Sequence, residues 1–384
     1  MRFEFATAAR IVFAPGAAAR IPAIARELGT CALVVTGRDR GRSKQTCDGL
    51  AREGLAYSVF PVCGEPSLEA VRKGVNAVRE NRADLVIGFG GGSAIDAAKA
   101  IAALAPNSGE PLDYLEVIGR GAPLECAPLP VIAVPTTAGT GSEVTRNAVL
   151  YSPEHRVKAS LRSPLMLPRV AVVDPELTCD LHPAVTASTG LDALTQLIEP
   201  YVSVRANAMT DLFCREGMRL AAGALAAAFV NGGDRNAREA MSFASLLGGL
   251  SLANAGLGAV HGFAAPVGGM FDAPHGAICA ALLPYGMEIN TRALRARAPE
   301  SEALRRYGEI ARILTGDPHA ESETGVAWLR DLCARLAIPR LGAYGVTDAH
   351  VPELVEKAAK ASSMKGNPIP LDTAEMTEMI TRAI

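Results

Sequence analysis

ADLVIGFGGG (83–92) runs from an apolar, β-branched stretch straight into three consecutive glycines, and SAIDAAKAIAAL follows at helical spacing. A strand turned this sharply into a helix must be covered by that helix, and the unit repeats. TCALVVTG (30–37) precedes the helical GRSKQTCDGLAREG, AYSVFPV (56–62) precedes SLEAVRKGVNAVREN, and LPVIAVPTT (129–137) supplies a further strand. Such alternation predicts an α/β domain over residues 1–177, a parallel sheet with helices on its faces and ligands at the carboxyl ends of the strands.

The character changes near DPELTCDLHP (174–183). From His182 onward β-branched runs give way to Ala- and Leu-rich helical spacing, so residues 178–384 are expected to form a helical domain. Phe243 to Phe271 carries no charge and is long enough for a bilayer span. Its Ser, Asn, His and Pro residues among Gly and Ala favour a buried helix pair, so no membrane is expected. The N-terminus alternates charged and apolar residues without a signal-like apolar core. Hydrophobic residues make up 49% and charged residues 20%, with a net charge of −2, which speaks against disorder and against nucleic acid as a partner. The eight cysteines are scattered singly and never as C-x-x-C, a reduced, cytoplasmic pattern.

Chemistry-bearing residues gather in three places. Gly88-Phe-Gly-Gly-Gly-Ser93 sits between strand and helix, where backbone N–H groups and the helix N-terminus suit a diphosphate; a tight turn is the bland alternative. Thr136-Thr-Ala-Gly-Thr-Gly-Ser-Glu143 follows the next strand and can line the same crevice with hydroxyls. VHGFAAPVGGMFDAPHG (260–276) holds His261 and His275, two of only six histidines, in a nearly chargeless stretch. They are either metal ligands or hydrogen-bonded core residues. Asp192, sharing a helix face with Gln196, is the acidic partner; the alternative is a helix N-terminal acid facing the macrodipole.

Together, GGGSAID with AAK, PTTAGTGSE, SPLMLPRVAVVDPELT, TGLDALTQLIEPYVS, VHGFAAPVGGMFDAPHG and GNPIPLD resemble the iron-containing (group III) alcohol dehydrogenases, in family order from about residue 88 to 370. The resemblance implies a Rossmann-like dinucleotide-binding domain, a helical domain, an active site in the cleft between them, and commonly a homodimer. It implies cofactor contacts at Gly90, Gly91, Gly92, Ser93, Asp96, Thr136, Thr137, Thr140, Ser142 and Lys158. The metal ligands it implies are Asp192, His261 and His275, with Gln196 where the family has a further histidine. Ala265 also departs, at a place where many members carry a histidine near the nicotinamide. The two departures leave zinc as well as iron open, with a Gln oxygen as a weak fourth donor. Gly37 stands where many members carry an acid that repels a 2′-phosphate, and Arg38, Arg40 and Arg42 follow, which opens NADP beside NAD.

The expected activity is an NAD(P)-dependent, metal-assisted alcohol dehydrogenase or aldehyde reductase acting on a small alcohol or aldehyde, with Asp192, His261 and His275 as its catalytic residues. Gln196 and Ala265 motivate a rival, a metal-independent enzyme resembling the maleylacetate reductases. A lyase of the dehydroquinate synthase type and a nucleotide-binding regulatory protein with a decayed site are further alternatives.

Overall fold

The computed structural model describes residues 3–384, which form two compact units. One comprises Thr7–Thr137 and Gly141–Thr178; the other comprises Cys179–Ile384 with the short pieces ending at Ala6 and spanning Ala138–Thr140.

The first unit is an α/β fold. Its elements are β1 (Ile11–Phe13), α1 (Ile21–Leu28), β2 (Cys31–Thr36), α2 (Lys44–Arg52), β3 (Ala56–Pro61), α3 (Leu68–Asn81), β4 (Leu85–Gly90), α4 (Gly92–Leu104) and β5 (Val131–Pro135). Then come β6 (Asn147–Ser152), β7 (Val157–Arg162) and β8 (Val170–Val173). Six strands pair in parallel in the order β1-β8-β5-β4-β2-β3.

Both faces of the inner strands β2, β4, β5 and β8 are covered, which is why they are apolar nearly throughout, whereas the edge strand β3 has no buried residue. Alternate residues of one strand enter different cores: Leu33 and Val35 pack with Ala97 and Ile101, whereas Ala32 and Val34 pack with Ile24 and Leu50. An antiparallel hairpin, β6 with β7, joins the first core through Ala148, Leu150, Ala159 and Leu161. Helix α4 is thus enclosed by sheet and hairpin, which explains its Ala- and Ile-rich composition. The βα alternation does not foretell this hairpin, because its two strands follow one another with no helix between them.

Strand order also selects a place for a ligand. From β2 the chain goes outward to β3 and returns to β4 on the other side of β2. Adjacent strands whose connections run in opposite directions leave a crevice at their carboxyl ends, here beyond β2 and β4.

The second unit consists of helices: α5 (Pro183–Val202), α6 (Ala208–Val230), α7 (Arg235–Ala255), α8 (Ala259–Met270), α9 (His275–Arg297), α10 (Glu302–Thr315), α11 (Ser322–Arg335), α12 (Val351–Ala359) and α13 (Thr373–Ala383). Among the described residues no single helix is long and apolar enough to cross a membrane; the uncharged stretch is divided between α7 and α8, bent by 99°. Because α5 begins at Pro183, Asp192 lies in mid-helix and the reading of it as a helix N-terminal acid is set aside.

Ile87 is fully buried in β4, near the middle of the sheet. Ile87→Ala is expected to destabilise this unit by about 2–5 kcal/mol. Urea denaturation should show a lower midpoint at unchanged slope.

Candidate functional site

At the carboxyl ends of β2, β4 and β5 the glycines allow backbones to converge. A Cβ placed on Gly90 would meet Ala94 Cβ at 2.7 Å and the Gly37 nitrogen at 3.4 Å, so the turns after β2 and β4 lie side by side. Thr137 packs on the other flank, its Cγ2 3.4 Å from where a Gly91 Cβ would stand. Gly91 caps α4 without a side-chain hydrogen bond, leaving the helix N-terminus, with Gly92 and Ser93, to an anion.

Other expected cofactor residues are engaged within the fold. Ser142 Oγ donates to one oxygen of Asp96, and the other oxygen accepts from Val149 N at 2.9 Å. Lys99, fully buried, donates to the Ser142 carbonyl and hydroxyl, both at 2.9 Å, and to Thr145 Oγ1 at 3.0 Å. Burial pulls its ammonium below the ordinary value while Asp96 opposes that shift. These bonds tie the threonine-rich loop and the hairpin to α4. Lys158 is buried on β7 and pairs with Glu65 at 2.8 Å. Thr136 is buried just beyond β5, and Thr140 falls in Ala138–Thr140, the piece that counts with the helical unit.

In the helical unit, three helices bring the expected metal residues together. Asp192, Gln196 and Glu199 sit at i, i+4 and i+7 on α5 and share a face. His261 comes from the first turn of α8, and His275 and Cys279 from the first turns of α9. Gly276 permits the approach: a Cβ there would lie 2.5 Å from the Ser188 carbonyl, so any side chain would push α9 off α5.

His261 Nε2 stands 3.3 Å and His275 Nε2 3.6 Å from Asp192 Oδ1. Ligand atoms of Asp192, His261, His275 and Cys279 all lie within 4.8 Å of one another. Asp192 Oδ1, His261 Nε2 and Gln196 Oε1 are buried without a hydrogen-bond partner among the described residues, whereas Gln196 Nε2 donates to Asp192 Oδ2 at 3.1 Å. Buried polar atoms left unpaired are costly, and a carboxylate, two imidazoles and a thiol fit a divalent cation. Burial raises the Asp192 carboxyl, but His275 and then His261 bring it below its ordinary value. Burial likewise opposes charge on both imidazoles, yet Cys279 and then Glu199 hold His261 well above its usual range, and Cys279 and then Asp192 raise His275.

Glu199 escaped the sequence reading. One of its oxygens accepts from Val260 N and the other lies on His261 Nδ1, both at 2.7 Å. The carboxylate thereby fixes the ring so that Nε2 faces Asp192. Asn367, from the GNPIPLD segment, accepts from Ala259 N at 3.1 Å and exchanges hydrogen bonds with Asn290. It positions the start of α8, a role that no local pattern announces. The spacing of Glu199 from Asp192 could have pointed to it.

Residues 8–175 match the model of iron-containing alcohol dehydrogenases, and residues 186–384 match that of the C-terminal domain of the same family. The chain belongs to the iron-containing alcohol dehydrogenase family. It is 38% identical over 344 residues to long-chain-alcohol dehydrogenase 1 of Geobacillus thermodenitrificans, covering 88% of this chain and 84% of that protein. The crystal structure of a 1,3-propanediol oxidoreductase superposes with a TM-score of 0.92 at 32% identity, covering 100% of both chains. Sulfoacetaldehyde reductase of Bifidobacterium kashiwanohense, solved with NAD+, gives 0.86 at 29% identity over 99% of this chain and 98% of that one. Family membership implies NAD(P) and a divalent metal.

Replacing Glu199 by Gln leaves the α5 backbone alone but weakens the hold on His261. Glu199→Gln is expected to lower affinity for a divalent metal by about 10–100-fold, the usual cost of losing such an orienting partner. Metal titration of the variant, with circular dichroism to confirm its fold, checks this.

Proposed function

We propose that Asp192, His261 and His275 hold the divalent metal of an NAD(P)-dependent alcohol dehydrogenase that also runs as an aldehyde reductase on small alcohols or aldehydes. The observation that carries this reading is the pair of unpartnered, buried donors, Asp192 Oδ1 and His261 Nε2, beside His275 in a chain matched by the family nearly end to end. Bound there, a divalent ion supplies Lewis acidity toward an alcohol or carbonyl oxygen, and the nicotinamide gives or takes the hydride.

The chain supplies position and surroundings. Asp192 contributes negative charge, Glu199 aims His261, and Gln196 steadies Asp192 through its amide. His261 is itself only 6% exposed, and Phe263, Ala264 and Val267 on the same helix are fully buried, so α8 carries the imidazole within the interior of the helical unit. Ala265 has no titratable group and so cannot itself relay the proton of the alcohol. In this reading the part up to residue 177 holds the dinucleotide and the part from residue 178 holds metal and substrate. Gly90, Gly91, Gly92 and Ser93 seat the pyrophosphate, and Asp96, Thr136, Thr137, Thr140, Ser142 and Lys158 shape its surroundings directly or through one another.

Gly37, Arg38 and Arg40 support use of NADP as well as NAD. Gly37 lies at the carboxyl end of β2 with open space where a Cβ would stand, and Arg38 and Arg40 are exposed after it. The eight free cysteines support a reducing, cytoplasmic setting, and the family expectation is a homodimer.

With a panel of primary alcohols, diols and aldehydes, purified enzyme should change NAD(P)H absorbance and lose activity on chelation. His261→Ala should cut turnover by about a hundredfold or more and lower bound metal; unchanged rate and metal content would overturn the assignment. Gly37→Asp should raise the NAD over NADP ratio of kcat/KM by about tenfold or more, since a carboxylate repels the 2′-phosphate.

A further inference from the structure

We propose that Cys279, as a thiolate, is the fourth protein donor to the divalent metal, in place of the neutral side chain of Gln196. The inference rests on the reading of Asp192, His261 and His275 as ligands. Cys279 stands one helical turn after His275 on α9, so both side chains leave the same face. Its Sγ is 3.7 Å from His275 Nε2 and within 4.8 Å of the donor atoms of Asp192 and His261. It is fully buried, and the atoms that face the same space, Asp192 Oδ1 and His261 Nε2, belong to residues only 1% and 6% exposed and have no hydrogen-bond partner.

Chemistry separates the two candidates for the remaining position. Gln196 already spends its amide nitrogen on Asp192 and offers only a neutral oxygen. A thiolate is a stronger ligand for zinc or ferrous iron. With Asp192 it also supplies two negative charges, which balance a divalent cation within a buried site. Coordination displaces the thiol proton, which leaves to solvent, and no electron transfer is involved. Held by these four side chains, a zinc ion would retain Lewis acidity toward a substrate oxygen.

The test strips the enzyme with a chelator, reloads it with cobalt(II) and records its absorption spectrum. A cobalt–thiolate bond gives a sulfur-to-metal charge-transfer band in the near ultraviolet, separate from the ligand-field bands in the visible. The wild-type enzyme should show both. Cys279→Ala and Cys279→Ser should bind cobalt and keep visible bands while losing the charge-transfer band; the serine variant preserves side-chain shape should the alanine variant fold poorly. Absence of the charge-transfer band from cobalt-loaded wild type, or its persistence in either variant, would overturn the role of Cys279 and leave the other three ligands standing. Failure of the wild type to take up cobalt, with no metal in the enzyme as purified, would overturn the underlying metal reading too.

Discussion

The Glu199 carboxylate joins two requirements that would otherwise be met separately. One oxygen closes an open N–H at the start of α8 and the other orients His261. Hydrogen bonds to a charged group contribute about 1.5–3 kcal/mol each, more than the neutral bonds that hold most helix starts. Helix placement and ligand orientation are therefore one event: where α8 begins decides where His261 Nε2 points. Because Asp192 and Glu199 lie on the same face of α5, a single rigid helix sets both ends of the imidazole.

Close approach is the second constraint, and glycine provides it in both units. At Gly276 the Ser188 carbonyl occupies the place of a side chain, and at Gly90 the Ala94 methyl of α4 does nearly the same, with the turn after β2 in contact beside it. Neither glycine has a positive φ, so both are there for space rather than for backbone freedom. The result is two sites built from short side chains and bare backbone, in keeping with a chain only 5% aromatic.

Much of this was readable beforehand. Strand and helix periods are local, so β2, β3, β4 and β5 and the long helices stood out, as did the glycine turn after β4 and the histidine pair. Asp192 could be paired with them because the motifs occur together in family order. What escaped was what depends on distant partners. The β6–β7 hairpin has modest strand pattern and takes its order from packing on α4. Glu199 and Cys279 acquire their partners only when α5, α8 and α9 are placed together. The acceptors of the Lys99 ammonium, oxygens of Ser142 and Thr145, lie more than forty residues along the chain, beyond the reach of any local pattern.

Asn367 carries a consequence for how the site comes into being. Its side chain accepts from Ala259 N across 108 residues of sequence, and it is locked there by Asn290. A chain is synthesised from its N-terminus, so α5, α8 and α9 all emerge before the segment that finishes the start of α8. Until residue 367 arrives, Ala259 N lacks the acceptor it has in the folded chain. The start of α8, and with it the setting of His261, therefore draws on residues as far apart as 199 and 367 rather than on its own local sequence.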